Sequence, residues 1–269
     1  MEQTFDLYRD IAERTDGDVY IGVVGPVRTG KSTLLSRMME KMVLDSMPPG
    51  PRRDRISDEL PQSGSGRTIM TTQPKFVPGE AVTVSLDEKS TVRVRMVDSV
   101  GYLVEGALGT EEDGAARMVH TPWFEHDIPF DQAAEIGTRK VIADHATIGL
   151  VVTTDGSIAE LPREAYAAAE ERVVRELKEL GKPFVAVLNS RTPDAKETQA
   201  LRQRLSERYA VPVMAVNAKE MEMEEPYQIA SKVDSPAPPE PRIHLMSLPN
   251  FAMASAGFRC FAVESIKLR

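Results

Sequence analysis

One cysteine, Cys260, stands in 269 residues. That excludes an intramolecular disulfide and any cysteine-rich metal site. No stretch approaches the roughly 18 consecutive apolar residues that span a bilayer. The first residues, Met1-Glu2-Gln3-Thr4-Phe5-Asp6, lack the basic and then apolar regions of a secretory signal, so the expected compartment is the cytoplasm. Basic charge is not in excess either. A formal net charge of −8 argues against non-specific affinity for nucleic acid, and no nucleic-acid partner is expected. The four histidines, His120, His126, His145 and His244, show no metal-ligand spacing, which disfavours a metal hydrolase. Aromatic residues make up 6%. Hydrophobic content of 41% with 28% charged residues nevertheless fits a soluble globular chain with one large domain or two small ones.

What is present is a phosphate-binding signature. Gly25-Pro26-Val27-Arg28-Thr29-Gly30-Lys31-Ser32 reads G-x-x-x-x-G-K-[ST], the P-loop. The apolar run Val19–Val24 precedes it as a buried parallel strand, and Ser32–Met42 follows with helical composition. Strand, loop and helix in that order aim backbone N–H groups and the helix dipole at an anion. Gly25, Arg28, Thr29, Gly30, Lys31, Ser32 and Thr33 are the expected nucleotide-binding residues, with Lys31 reaching the β- and γ-phosphates. The Ser32 hydroxyl is expected to ligate Mg²⁺.

Residues 6–15 read as a short amphipathic helix, packed beside the first strand or acting as a docking peptide. The stretch 44–80 holds six prolines and four glycines, and is expected to be irregular. Within it lie Thr71 and Thr72. Either one is placed to sense the γ-phosphate, Thr71 also as an Mg²⁺ ligand, or both simply open the next strand. Ala81–Leu86 and Thr91–Val97 alternate with period two and read as a hairpin. The second strand runs into Asp98-Ser99-Val100-Gly101, where Asp98 is expected to hold Mg²⁺ and the Gly101 N–H to meet the γ-phosphate. Tyr102 follows, where many GTPases carry a water-orienting glutamine.

Residues 103–131 read as an insertion whose aromatics, Trp123, Phe124 and Phe130, either pin it to the body or present a contact surface. From residue 148 the order β, α, β, α, β predicts a parallel sheet with crossover helices. The fold class is therefore α/β, a GTPase-like P-loop NTPase: a mostly parallel sheet flanked by helices, with one antiparallel edge strand and an irregular C-terminal tail. GTP-specific relatives place N/T-K-x-D after the next-to-last strand. Here the place reads Asn189-Ser190-Arg191-Thr192, so Asn189 stays as a nucleotide-binding candidate while the lysine and aspartate are replaced. Losing the carboxylate favours ATP over GTP, unless Asp194 serves through a shifted loop.

Several blocks outside these motifs resemble the stage IV sporulation protein A family: Asp10–Thr15 running into the P-loop, Asp58–Ser63, Thr68–Thr72, Thr121-Pro122-Trp123 and Glu135–Ile142. The resemblance covers residues from about 5 to about 218. It implies a P-loop ATPase whose hydrolysis drives self-assembly into the basement layer of the spore coat. It further implies self as polymer partner, a small amphipathic membrane-bound spore peptide and other coat proteins as further partners, and a place in the mother cell at the forespore surface. Membrane association would then be peripheral and indirect. By the same resemblance Lys31, Thr71, Thr72 and Asp98 are the catalytic set, with ATP and Mg²⁺ as cofactors. Two other readings stand beside it, a nucleotide-binding scaffold without assembly activity and a GTPase of ribosome-assembly type. The expected division is an ATPase domain over 1–220 and a Pro-rich divergent tail over 221–269. That tail is expected to be partly disordered and to lack the last helix of the nucleotide domain, as in a truncated, frame-shifted or diverged short form.

Overall fold

A computed structural model describes residues 17–61, 74–85, 91–107, 109–112, 114–159 and 161–233. Its frame is a six-stranded sheet. The strands are β1 (Asp18–Val24), β2 (Lys75–Ser85), β3 (Thr91–Asp98), β4 (Ile148–Thr154), β5 (Phe184–Asn189) and β6 (Val213–Val216). They lie in the order β6-β5-β4-β1-β3-β2. All neighbours run parallel except β2, which pairs antiparallel with β3 at the edge. The expected fold class is thereby met.

Both faces of this sheet are covered, which explains the near-continuous apolar runs of its central strands. Ile148, Leu150 and Val152 of β4 face one core, and Val151 faces the other. The first core is closed by α1 (Lys31–Met42), which buries Leu34, Leu35, Met38 and Met39 at helical spacing and leaves Arg37, Glu40 and Lys41 at or near the surface. The second is closed by α3 (Phe130–Lys140), α4 (Ala167–Glu179) and α5 (Lys196–Tyr209). A buried polar knot joins the last two: the Glu170 carboxylate accepts from Thr153, Arg163 and the Tyr209 hydroxyl.

Two expectations change. The stretch 44–80 is not irregular throughout: α2 spans Pro51–Glu59, and β2 begins at Lys75. Pro51 occupies the first helical position, where a missing N–H costs nothing. Pro78 sits where the β2–β3 register shifts, on an edge strand with no further neighbour among the described residues. The second change concerns the tail. Met221, Ile229, Ala230 and Val233 are buried in the first core, and a short helix α6 (Glu225–Ala230) packs on α1, so the packed body continues to residue 233 rather than ending at 220. Pro226 again falls in the first helical turn, so it starts the helix that the sequence reading found missing. For the insertion, where two readings stood open, the structure shows pinning. Phe130 is fully buried and Trp123 lies against Gly137, while Phe124 is exposed. The expected helix over 6–15 lies outside the described residues, as do 67–72 and the connection 87–90.

Candidate nucleotide site

The loop between β1 and α1 is fixed from three directions. Its own Thr29 Oγ1 donates to the Pro26 carbonyl at 3.1 Å. The Val27 N–H donates to the Tyr102 carbonyl at 2.9 Å and the Tyr102 N–H to the Gly25 carbonyl at 3.2 Å, stitching the loop to the exit of β3. Asn189, at the end of β5, donates from Nδ2 to the Thr29 carbonyl at 2.9 Å, and its Oδ1 accepts from the Ala218 N–H at 3.0 Å. Gly30 has φ +84, and a Cβ there would run into Asn189 Nδ2, so this position demands glycine twice over. Arg28, a non-glycine residue at φ +63, is half-buried in the same loop.

Lys31 is buried and donates from Nζ to the Pro26 carbonyl at 2.6 Å. Burial draws its pKa down to about 8, and the neighbouring Asp98 pulls the other way. Ser32 Oγ donates to Asp98 Oδ2 at 2.7 Å. Burial raises the Asp98 carboxyl pKa, opposed by the Ser32 hydrogen bond and the Lys31 charge. Asp98 Oδ1 is buried with no hydrogen-bond partner among the described residues. A buried carboxylate oxygen left without a partner is costly. A hydroxyl and a carboxylate with one orphaned oxygen, grouped beside a phosphate loop, are hard-oxygen donors of the kind Mg²⁺ takes, with phosphates and water to complete its shell. The residues present fit that ion.

Gly101 lies against Lys31, since a Cβ on it would come within 2.5 Å of Nζ. Its N–H donates to Thr138 Oγ1 on α3 at 2.9 Å. Tyr102 turns away from Lys31: its hydroxyl donates to Glu176 Oε2 at 2.5 Å, and the Arg172 guanidinium lies 4.0 Å from its ring centroid. Arg172 also pairs with Glu135 at 2.5 Å. The tyrosine is thus committed to α4 rather than to a water at the phosphate.

Beside the loop opens a cleft of about 880 Å³, lined among others by Gly30, Thr33, Arg37, Asn189, Arg191 and Lys219. That volume suits a nucleotide-sized ligand. Between the lining residues Asn189 and Arg191, Ser190 is fully buried; its Oγ donates to Asp155 Oδ2 at 2.5 Å and accepts from the Thr192 N–H at 3.0 Å. Ser157 binds the same carboxylate and accepts from the Arg191 N–H at 3.0 Å. Asp155 therefore lies below the usual carboxylate range despite partial burial, held there by hydroxyl and backbone donors. Asp194 is exposed and does not line the cleft.

The structure brings together Gly25, Arg28, Thr29, Gly30, Lys31, Ser32, Thr33, Asp98, Gly101 and Asn189, all expected from sequence. Thr71 and Thr72 lie outside the described residues. Sequence reasoning missed Thr138, Asp155, Arg191, Asn217 and Lys219. Asn217, Ala218 and Lys219 directly follow the last strand, where a loop beside β5 should have drawn notice. Thr138 carried no motif of its own.

Comparison with known proteins bears on this geometry. The family model for the ATPase domain of stage IV sporulation protein A matches residues 1–238. Stage IV sporulation protein A of Bacillus anthracis is 54% identical over 224 residues, which are 83% of this chain and 46% of that one. Those of Clostridioides difficile (strain 630) and Bacillus subtilis (strain 168) are 53% identical over 228 residues and 55% over 216, covering 85% and 80% of this chain and 46% and 44% of theirs. The chain thus spans a little under half the length of these relatives. Among solved structures, the crystal structure of an SsGBP variant superposes with a TM-score of 0.43 at 14% identity, over 86% of this chain and 62% of that one. With the P-loop, the Ser32–Asp98 pair and the altered base loop on a parallel sheet, the match over residues 1–238 settles the family: the chain belongs to the stage IV sporulation protein A family and carries its ATPase domain.

Proposed function

We propose that this chain binds ATP with Mg²⁺ in the cleft beside Gly25–Ser32, hydrolyses it to ADP and phosphate, and that its nucleotide state drives self-assembly into the spore coat basement layer. The observation that carries the nucleotide site is the Ser32–Asp98 pair at 2.7 Å with the second Asp98 oxygen orphaned. Lys31 holds the β- and γ-phosphates, and Ser32 and Asp98 hold Mg²⁺. When bound, that ion would neutralise charge developing on the phosphates, and positioning by the protein supplies most of the remaining rate. Thr71 and Thr72 are proposed as the γ-phosphate sensors, Thr71 also as a metal ligand.

Adenine preference rests on the base loop. Without a carboxylate at Thr192, the guanine N1–H and exocyclic amine lose their acceptor, and Ser190 spends its hydroxyl inside the loop. Self-assembly, contact with a small amphipathic membrane-bound spore peptide and other coat proteins, and a place in the mother cell at the forespore surface are proposed from family membership. Peripheral, indirect membrane attachment is likewise proposed from family membership; no helix among the described residues is long and apolar enough to cross a membrane. A second reading, a nucleotide-binding scaffold without assembly activity, draws on Tyr102: with its hydroxyl held by Glu176 it orients no water, which leaves binding without the turnover that assembly would need.

Phosphate release and sedimentation, measured on the wild-type chain and on Lys31→Ala with ATP, GTP and ADP, test the proposal. ATP-dependent turnover with ATP-dependent pelleting, both lost in Lys31→Ala, is the expected result. Tight ATP binding with neither turnover nor pelleting selects the scaffold.

A further inference from the structure

The Gly101 N–H has a single proton to give, and in this structure Thr138 takes it. Thr138 is fully buried on α3, and the bond is shielded from water. The same glycine is pressed against Lys31 Nζ and the Gly25 carbonyl, where a Cβ would sit 2.5 and 2.6 Å away. It therefore lies beside the P-loop lysine while its donor points to a helix.

The chain on either side of Gly101 is anchored. Upstream, Ser99 donates to the Val23 carbonyl from its backbone N–H at 3.3 Å and from its hydroxyl at 2.8 Å. Downstream, Tyr102 is held through its backbone by Gly25 and Val27, and through its side chain by Glu176 and Arg172. Between these anchors sits a glycine at φ +100, a residue free to reorient its peptide. With both neighbours anchored, the peptide that carries the contested N–H is the one placed to turn.

We propose that Thr138 sets the discrimination between triphosphate and diphosphate by competing with the γ-phosphate for the Gly101 N–H. The inference rests on the nucleotide-binding reading above and adds a residue to it. A ligand shifts an equilibrium only by its differential affinity for the two states. ATP offers an oxygen that replaces the Thr138 hydroxyl, but must first break the Gly101–Thr138 bond. ADP has no such oxygen and leaves the bond intact. Thr138 therefore weakens ATP binding and leaves ADP binding unchanged, which keeps the triphosphate state from being over-stabilised. Glu135, one turn earlier on α3, pairs with the Arg172 that covers Tyr102, so the helix that releases Gly101 also braces its neighbour.

The test is calorimetric titration of the full chain, with Mg²⁺, against ADP and the non-hydrolysable analogue AMP-PNP. In Thr138→Val the N–H has no protein acceptor in the free and ADP states but still finds the γ-phosphate. The analogue should bind about three- to tenfold tighter, the range one net hydrogen bond supports, with ADP affinity unchanged. Thr138→Ser keeps the hydroxyl and should restore the wild-type ratio; Thr138→Ala, which removes the γ-methyl as well as the hydroxyl, should follow Thr138→Val. Equal shifts for both nucleotides, or an unchanged ratio in the folded Val and Ala variants, would overturn the role of Thr138 while leaving the nucleotide site standing. A wild-type chain that binds neither nucleotide would instead overturn the site and the inference together.

Discussion

The two ends of the cleft are built in different ways. At the phosphate end the contacts come from one short segment and one strand exit. Gly25–Ser32 supplies the loop, Asp98 and Gly101 close it, and backbone groups do much of the holding. At the base end the walls come from three separate loops, after β4, β5 and β6, tied together by Asp155, Ser157, Ser190 and Asn217 side chains. Backbone geometry tolerates little change, because a Cβ at Gly30 or Gly101 has nowhere to go. Side-chain geometry can be rewritten residue by residue. In the proposed reading, the phosphate end would fix what class of ligand binds, and the base end which member of the class.

If that division is right, the largest effect belongs to Lys31. Removing the buried ammonium in Lys31→Ala should lower turnover by about 10³-fold, as expected for loss of a preorganised charge at the reacting phosphate; phosphate-release kinetics read it. Asp98→Asn keeps the shape but weakens metal support, and should cost about 10²-fold, with part of the loss recovered at raised Mg²⁺. Rewriting the base end should change selectivity instead. Ser190→Lys combined with Thr192→Asp should move the ATP-to-GTP ratio of kcat/KM toward GTP by about tenfold, since a restored carboxylate accepts the guanine edge. Little change in the ratio, with a large fall in turnover for both nucleotides, would break the division between the ends. The smallest effect is Tyr102→Phe. It removes the hydroxyl bonded to Glu176 and should cost about 1 kcal/mol of stability in a denaturant melt, leaving turnover within about twofold. A hundredfold fall would mean that Tyr102 reaches the reacting water after all.

How much of this was legible in the sequence follows the same line. The P-loop, Asp98 and Gly101 were readable because their chemistry is local and their spacing is set by one strand and one helix. β1, β4 and β5 were readable because strands buried on both faces carry nearly unbroken apolar runs. Asn189 was readable as the surviving member of the guanine element, although its grip on the Thr29 carbonyl was not. The helix at Pro51–Glu59 was hidden because proline at a first helical turn looks the same in sequence as proline in a loop. The six-residue helix at Glu225–Ala230 is too short to show a period, and its hold comes from docking on α1. Thr138 was invisible for a plainer reason: its partner is a backbone N–H 37 residues away, contributed by a glycine with no side chain to signal the pairing.

Equilibrium binding of ATP and GTP to the full chain with Mg²⁺, before and after Lys31→Ala, tests the whole account most directly. The account predicts ATP bound at least about tenfold more tightly than GTP, and loss of that binding in the variant. GTP bound as tightly as ATP, or ATP binding indifferent to Lys31, would contradict it.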